Sequence, residues 1–160
     1  QGIPLNERKR LGALLDDRPQ TEVMAMIPQF SQAETDNFVA PPAQIPEALG
    51  VLMFNMERGV NLSEIQEFLR DCPDIQPFDV ILANELDDGC ARSGNKNTAR
   101  ELAQAFGLNY AWGLEFIELV NDENAKGFHG NAVFSRWPIR RAGVIPVAMG
   151  QNQAVQPEIP

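Results

Sequence analysis

A chain of 160 residues with 44% hydrophobic and 8% aromatic residues is long enough to form one domain with a buried core. No apolar run approaches the roughly 20 residues that a membrane-spanning helix needs, so the sequence predicts no membrane segment. The net charge is −9, the pI is near 4.5, and the sequence shows no basic face. This charge disfavours binding to duplex nucleic acid, and a small phosphoester is easier to accommodate than a long polyanion. The two cysteines, Cys72 and Cys90, could form one disulfide or remain as two free thiols, and the sequence favours the two states about equally.

The first 46 residues are predicted to be a leader that differs from the rest of the chain. Asn6 can cap a short helix that runs through about Leu15. The stretch 21–46 contains four prolines and no sustained hydrophobic period, so it is expected to lie extended on the surface or to link to something upstream. The N-terminus has neither an initiator methionine nor the layout of a signal peptide. The chain is therefore expected to begin after processing or within a longer reading frame, and its localisation stays open.

Two apolar strands follow the leader, and each of them ends in polar residues. Residues 51–54 run into Asn55, and residues 80–83 run into Asn84 and Glu85, with one helical segment between the two strands. Unbroken apolar strands joined by a helix predict a parallel pair that is covered on both faces. The carboxyl ends of such strands lie at one edge of the sheet, where open α/β sheets bind their ligands. Asn55 and Glu85 are therefore expected to lie close together.

The remaining elements are predicted from caps and hydrophobic spacing. Asn61 and Glu64 form a capping box at the start of the helix between the two strands. Apolar residues at helical spacing predict a second helix over residues 99–106, which Gly107 ends. Short strands are predicted over residues 109–112, 115–120 and 131–135. The chain is thus divided into a leader (1–46), a core domain (47–148) and an irregular tail (149–160).

Four groups of motifs occur in order along the core domain. They are Phe54-Asn55-Met56-Glu57-Arg58-Gly59, Asn84-Glu85-Leu86-Asp87, Ala91-Arg92-Ser93-Gly94-Asn95 with Arg100-Glu101-Leu102-Ala103, and His129-Gly130-Asn131-Ala132-Val133-Phe134-Ser135-Arg136. Together they resemble the endonuclease/exonuclease/phosphatase superfamily, which has DNase I-like folds, over roughly residues 49–147. The resemblance implies a two-sheet α/β sandwich, of which this chain would supply mainly the first sheet and its helices.

The resemblance also implies metal-dependent hydrolysis of a phosphoester, with Asn55 and Glu85 as the catalytic residues. Asn55 matches the family asparagine that helps to hold the phosphate and the metal, and Glu85 matches the family glutamate that ligates the metal. Mg²⁺ or Mn²⁺ is the implied cofactor, because such ions prefer oxygen ligands and can lower the pKa of an attacking water. A single carboxylate predicts that the isolated chain binds this cofactor weakly or not at all.

Three further residues, Arg92, His129 and Asn131, are candidates for binding the substrate phosphate. A guanidinium suits phosphate oxygens, although loop arginines are also commonly solvated. His129 is the only histidine, and since the family's catalytic histidine lies in a later motif, a structural or pocket-edge role is favoured for it. Asn131 is expected to fix hydrogen bonds of its strand more than to touch the substrate.

The second half of the family's catalytic set is missing from the sequence. The family carries an Asp-x-Asn pair, a further acidic ligand and the base histidine after the last matching motif, whereas residues 137–160 of this chain contain neither aspartate nor histidine. The predicted function is therefore the N-terminal portion of a phosphodiesterase, phosphatase or nuclease that is inactive without its second half. The alternative is a non-catalytic interaction module that keeps the half-fold and docks on a partner. Expected partners are a phosphoester, if the site is completed, and another polypeptide: the complementary half, a second copy or a different subunit.

Overall fold

The computed structural model describes residues 2–145, which form a mixed five-stranded β-sheet with four α-helices. In chain order the elements are α1 (Leu5–Leu14), α2 (Gln20–Ala25), β1 (Ala33–Asp36), β2 (Val51–Arg58), α3 (Leu62–Asp71), β3 (Val80–Asp88), α4 (Thr98–Phe106), β4 (Asn109–Ile117) and β5 (Phe128–Ser135). Short 3-10 turns lie at Pro28–Ser31, Pro73–Ile75 and Ala91–Ser93. The predicted tail, residues 149–160, lies outside the described residues. Among residues 2–145 no helix is both long and apolar enough to cross a membrane.

The sheet contains the predicted β-α-β unit. The strand order is β1-β4-β5-β3-β2, in which β2 and β3 are parallel and all other neighbours are antiparallel. Parallel neighbours need a crossover connection, and α3 supplies it. The strands predicted separately over residues 109–112 and 115–120 are joined in the single strand β4, which ends at Ile117. The carboxyl ends of β2 and β3 lie at one edge of the sheet, as expected.

One face of the sheet, called the inner face, packs against α3 and α4. The predicted stripe of α4 is buried, and Gly107 ends this helix in the left-handed region at φ 60°. The ring of Phe54 on β2 stacks on Phe68 of α3 with 5.7 Å between centroids. The largest buried apolar side chains are Met56, Leu69, Ile81, Leu86, Tyr110 and Phe134. Burying a large apolar side chain contributes about 1.5–3 kcal/mol, which is what holds the helices on the sheet.

The opposite face, called the outer face, is largely uncovered, and the prediction that both faces of the parallel pair are covered is wrong. Its exposed aliphatic side chains are Val51 (56%), Met53 (75%), Leu82 (36%) and Val133 (41%). The physical reason is that α3 and α4 both lie on the inner face. On the outer face, a groove is lined by α2, by the turn after α2 and by residues of the segment 139–145.

Residues 20–36 are more ordered than the predicted leader. Helix α1 matches the predicted first helix, although Pro4 and not Asn6 occupies its N-cap. Neither α2 nor β1 follows from the sequence pattern, and β1 joins the sheet by pairing with β4. Asn61 does precede α3, but its side chain makes no capping hydrogen bond. For β1 the difference arises because pairing with β4 outweighs a weak local pattern.

Candidate functional site

Asn55 and Glu85 meet at the carboxyl ends of β2 and β3. Nδ2 of Asn55 donates to Oε1 of Glu85 at 2.9 Å, although 30 positions separate the two residues. Oδ1 of Asn55 accepts the backbone N–H of Glu57 at 2.8 Å. The second N–H of the Asn55 amide and Oε2 of Glu85 have no hydrogen-bond partner among residues 2–145. A donor and an anionic acceptor are therefore open to a ligand at the same place.

The backbone is distorted where these polar residues lie. Glu57, Arg58 and Glu85 have φ angles of 47°, 65° and 59°, in the left-handed region that residues with side chains rarely adopt. The pairing of β2 with β3 shifts register after Asn55, and the pairing of β3 with β5 shifts after Ala83. Each left-handed residue costs about 1–2 kcal/mol. Strain and bulges of this kind cluster at functional sites, which makes this edge of the sheet the candidate site.

Asn131 and Glu115 extend the Asn55–Glu85 contact across the sheet. Oδ1 of Asn131, on β5, accepts the backbone N–H of Glu85 at 3.2 Å, and its Nδ2 donates to Oε2 of Glu115, on β4, at 3.0 Å. Hydrogen bonds thus run through Glu115, Asn131, Glu85 and Asn55, which lie on the adjacent strands β4, β5, β3 and β2. These four residues are called the polar row. The row joins two of the predicted candidates, Glu85 and Asn55, with a third, Asn131.

His129 and Arg92 lie in a separate buried cluster around Asp87. Nδ1 of His129 is 2.7 Å from Oδ1 of Asp87, and its ring stacks on Phe116 at 4.3 Å between centroids. Nε and Nη2 of Arg92 donate to the two carboxylate oxygens of Asp87, both at 2.8 Å, while Nη1 donates to Glu118. The guanidinium of Arg92 is therefore paired with two carboxylates of the protein. His129 is held in place by the buried carboxylate of Asp87.

The charges in this cluster stabilise one another. Burial raises the pKa of Asp87, but the hydrogen bonds from His129 and Arg92 outweigh burial and leave that pKa below its usual range. Burial likewise disfavours the charged form of Arg92, yet the carboxylates of Asp87 and Glu118 raise its pKa overall. Burial, reinforced by Asp87, raises the pKa of the Cys90 thiol, so a reactive thiolate is disfavoured there. Charges that are satisfied internally in this way are typical of a structural cluster.

The oxygen atoms of the polar row suit a hard cation but are few. Within residues 2–145, no group of three or more His, Cys, Asp or Glu side chains could hold a metal ion. Glu85 offers one carboxylate oxygen, whereas Mg²⁺ commonly takes one or two carboxylates together with waters and substrate phosphate. This donor set would leave most of the coordination sphere of such an ion to waters and substrate oxygens, and it does not fit a cation held by the protein alone.

Two residues of these networks, Glu115 and Asp87, have no role that the sequence pattern predicts. Glu115 interrupts an apolar stretch, and its place next to Asn131 depends on how β4 pairs with β5. Asp87 meets His129 from 42 positions away. The available signal is an acidic residue inside an otherwise apolar strand, which is unusual for a position that is half-buried or buried.

The fold and the polar row define a mixed α/β protein with an oxygen-rich site at one edge of its sheet. The chain matches none of the protein-family models, curated proteins or solved structures with which it was compared.

Proposed function

We propose that this chain is the N-terminal portion of a divalent-metal-dependent phosphoester hydrolase with a DNase I-like fold. The contact between Asn55 and Glu85 at the carboxyl ends of two parallel strands carries the proposal. Open α/β sheets bind their ligands at this edge. The uncovered outer face adds support, because a second sheet packed there would complete a two-layer sandwich.

In the proposed site, Glu85 and Asn55 divide the binding of cation and phosphate between them. Oε2 of Glu85 would bind Mg²⁺ or Mn²⁺, and the open N–H of Asn55 would donate to a phosphate oxygen. When bound, the cation would neutralise charge on the phosphoryl group and lower the pKa of a bound water. Because Glu85 and Asn55 can neither activate nor position that water, the chain alone is proposed to be inactive.

A Mg²⁺ titration followed by amide NMR tests this proposal. The signals of Asn55 and Glu85 should shift with an affinity in roughly the millimolar range, since one carboxylate supplies few fixed oxygens. Glu85→Gln should abolish these shifts. Glu67→Gln is the matched control, because it removes the same charge from an exposed residue of α3 outside the site and should leave the titration unchanged.

Two results would contradict the proposed role of Glu85. One is an identical titration in the wild-type chain and in Glu85→Gln. The other is the absence of any shift at Asn55 and Glu85 in millimolar Mg²⁺. Hydrolysis of bis-nitrophenyl phosphate should stay at background, and Mn²⁺-dependent turnover that is lost in Asn55→Ala would show that the chain already holds a complete site.

The groove on the outer face favours a second candidate function, a non-catalytic module that binds another polypeptide. The groove has a volume of about 1220 Å³, which exceeds the roughly 300–1,000 Å³ of a typical small-ligand pocket. Its floor carries aliphatic side chains, including Leu82 and Val133, and the segment 141–145 of the same chain already lines it. An occupant that fits this surface is a polypeptide layer presenting aliphatic side chains, not a small polar metabolite.

A further inference from the structure

Glu115 has no role in the proposed function, although it stands at one end of the polar row. Its Oε2 accepts a hydrogen bond from Nδ2 of Asn131. A carboxylate can only accept a hydrogen bond, and the backbone N–H of Glu85 can only donate one. Both neighbours therefore require the same orientation of the Asn131 amide, with Nδ2 toward Glu115 and Oδ1 toward Glu85.

Two bulges bring these partners to Asn131. On β3, residues 84 and 85 lie opposite Asn131 alone, because Ala83 pairs with Ala132 and Leu86 with Gly130. On β4, Glu115 is the extra residue between Leu114 and Phe116, which pair with consecutive residues of β5. A bulge adds one residue to a strand and redirects its side chain. Asn131 on the central strand β5 is thus contacted from both flanking strands.

We propose that Glu115 is a positioning residue for Glu85 and that it acts through Asn131. Glu85 is held in the left-handed region, and the side chain of Asn131 accepts its backbone N–H. Fixing this N–H sets the direction in which the Glu85 side chain leaves the strand, toward Asn55. The importance of Glu85 rests on the proposed function, whereas the relay Glu115–Asn131–Glu85 rests on these contacts alone.

Reversing the polarity of the Glu115–Asn131 hydrogen bond tests the relay. Asn131→Asp places two carboxylates 3.0 Å apart, and like charges at that distance repel, so the amide NMR signal of Glu85 should move and the melting temperature should fall. In the double variant Glu115→Gln with Asn131→Asp, the new amide donates to the new carboxylate, which still accepts from Glu85. Both measurements should then return toward the wild-type values. Glu115→Gln alone keeps an acceptor and should have a small effect.

Matched measurements separate the relay from a general loss of structure. Glu123→Gln removes one charge from an exposed loop position and should leave the Glu85 signal in place. Circular dichroism should show the native secondary structure in every variant, because Asn131 is exposed. A double variant as perturbed as Asn131→Asp, or an unchanged Glu85 signal in Asn131→Asp, would overturn the relay. Rescue in the double variant without any response of Glu85 to Mg²⁺ would support the relay and contradict the proposed function.

Discussion

At the scale of single residues, Glu85 is unusual because it combines a carboxylate with a backbone conformation that favours glycine. Its φ of 59° lies in the left-handed region, where a side chain crowds the following carbonyl. The contacts with Asn131 and Asn55 hold the residue in this state. Backbone strain of this kind clusters at functional sites, which supports the role proposed for the Glu85 carboxylate.

Paired substitutions at Glu85 measure the strain. Both Glu85→Ala and Glu85→Gly lose the hydrogen bond to Asn55, but the glycine variant should be more stable than the alanine variant by about 1 kcal/mol. Glu67, exposed in the middle of α3, is the control, and there alanine should be more stable than glycine by about 1 kcal/mol. Urea denaturation measures the free energy of unfolding for all four variants. If the alanine variant were more stable than the glycine variant at both positions, the backbone of Glu85 would not be strained.

The sequence predicts the meeting of Asn55 and Glu85 but not the partners of Arg92 and His129. The meeting of Asn55 and Glu85 follows from the parallel pair alone, because each residue follows the apolar part of one of two neighbouring parallel strands. The pairing of Arg92 and His129 with Asp87 depends on the positions of a loop and of β5, and no local pattern specifies these. Side-chain contacts that rely on long-range register are the part that sequence reasoning leaves open.

At the scale of the elements, Asp79 joins three strands at the edge opposite the polar row. Its Oδ2 accepts the backbone N–H of Gly50 before β2, and its Oδ1 accepts Nη1 of Arg136 after β5, both at 2.9 Å. Its carbonyl oxygen also accepts the backbone N–H of Arg136 at 3.0 Å. The hydrogen bond from Gly50, and after it the hydrogen bond and charge of Arg136, hold the pKa of Asp79 below its usual 3.8, although burial opposes them.

Asp79 should therefore contribute to the stability of the fold in a pH-dependent way. Because its pKa is lower in the folded state, its stabilisation is present above pH 3.8 and is lost as the pH falls through the folded-state pKa. Asp79→Asn should be less stable than wild type at pH 7 and should lose less stability between about pH 5 and pH 2. Asp74→Asn, an exposed position in the turn after α3, is the control and should keep the wild-type profile. An unchanged acid slope in Asp79→Asn would contradict this assignment.

Elements with strong local signals are those that the sequence predicts well. The helix α4 has an apolar stripe and a terminal glycine, and the structure confirms both. The strand β1 has four residues without an apolar run, and only its pairing with β4 makes it a strand. The bulges of β3 and β4 carry no signal in the sequence, although they place Glu85 and Glu115.

At the scale of the whole molecule, the uncovered outer face is the feature that most needs an explanation. Exposed aliphatic side chains on three adjacent strands form one surface, and contiguous apolar patches larger than a few hundred Å² are rare on monomers. The purified chain should therefore associate with itself when no other polypeptide covers this face, giving a mass above 17.7 kDa by light scattering.

Met53→Lys tests this association, because Met53 is the most exposed of these side chains and its replacement leaves the core intact. The variant should shift toward the monomer. Val120→Lys, at a residue 62% exposed in the loop after β4, adds the same charge elsewhere and should associate as the wild type does. A wild-type chain that is a well-folded monomer and binds no dye for exposed apolar surface would contradict the account of this face.

We propose above all that a divalent cation binds beside Glu85 and Asn55, toward the carboxyl ends of β2 and β3. Paramagnetic broadening by Mn²⁺ tests it most directly, because the effect falls steeply with distance and locates the ion on a chain whose net charge of −9 offers other acidic surfaces. At low Mn²⁺ concentration, the amide signals of Asn55, Glu85 and Asn131 should broaden first, and Glu85→Gln should remove this effect. Broadening that begins at another acidic stretch, such as Asp16-Asp17, and is the same in Glu85→Gln would contradict the claim.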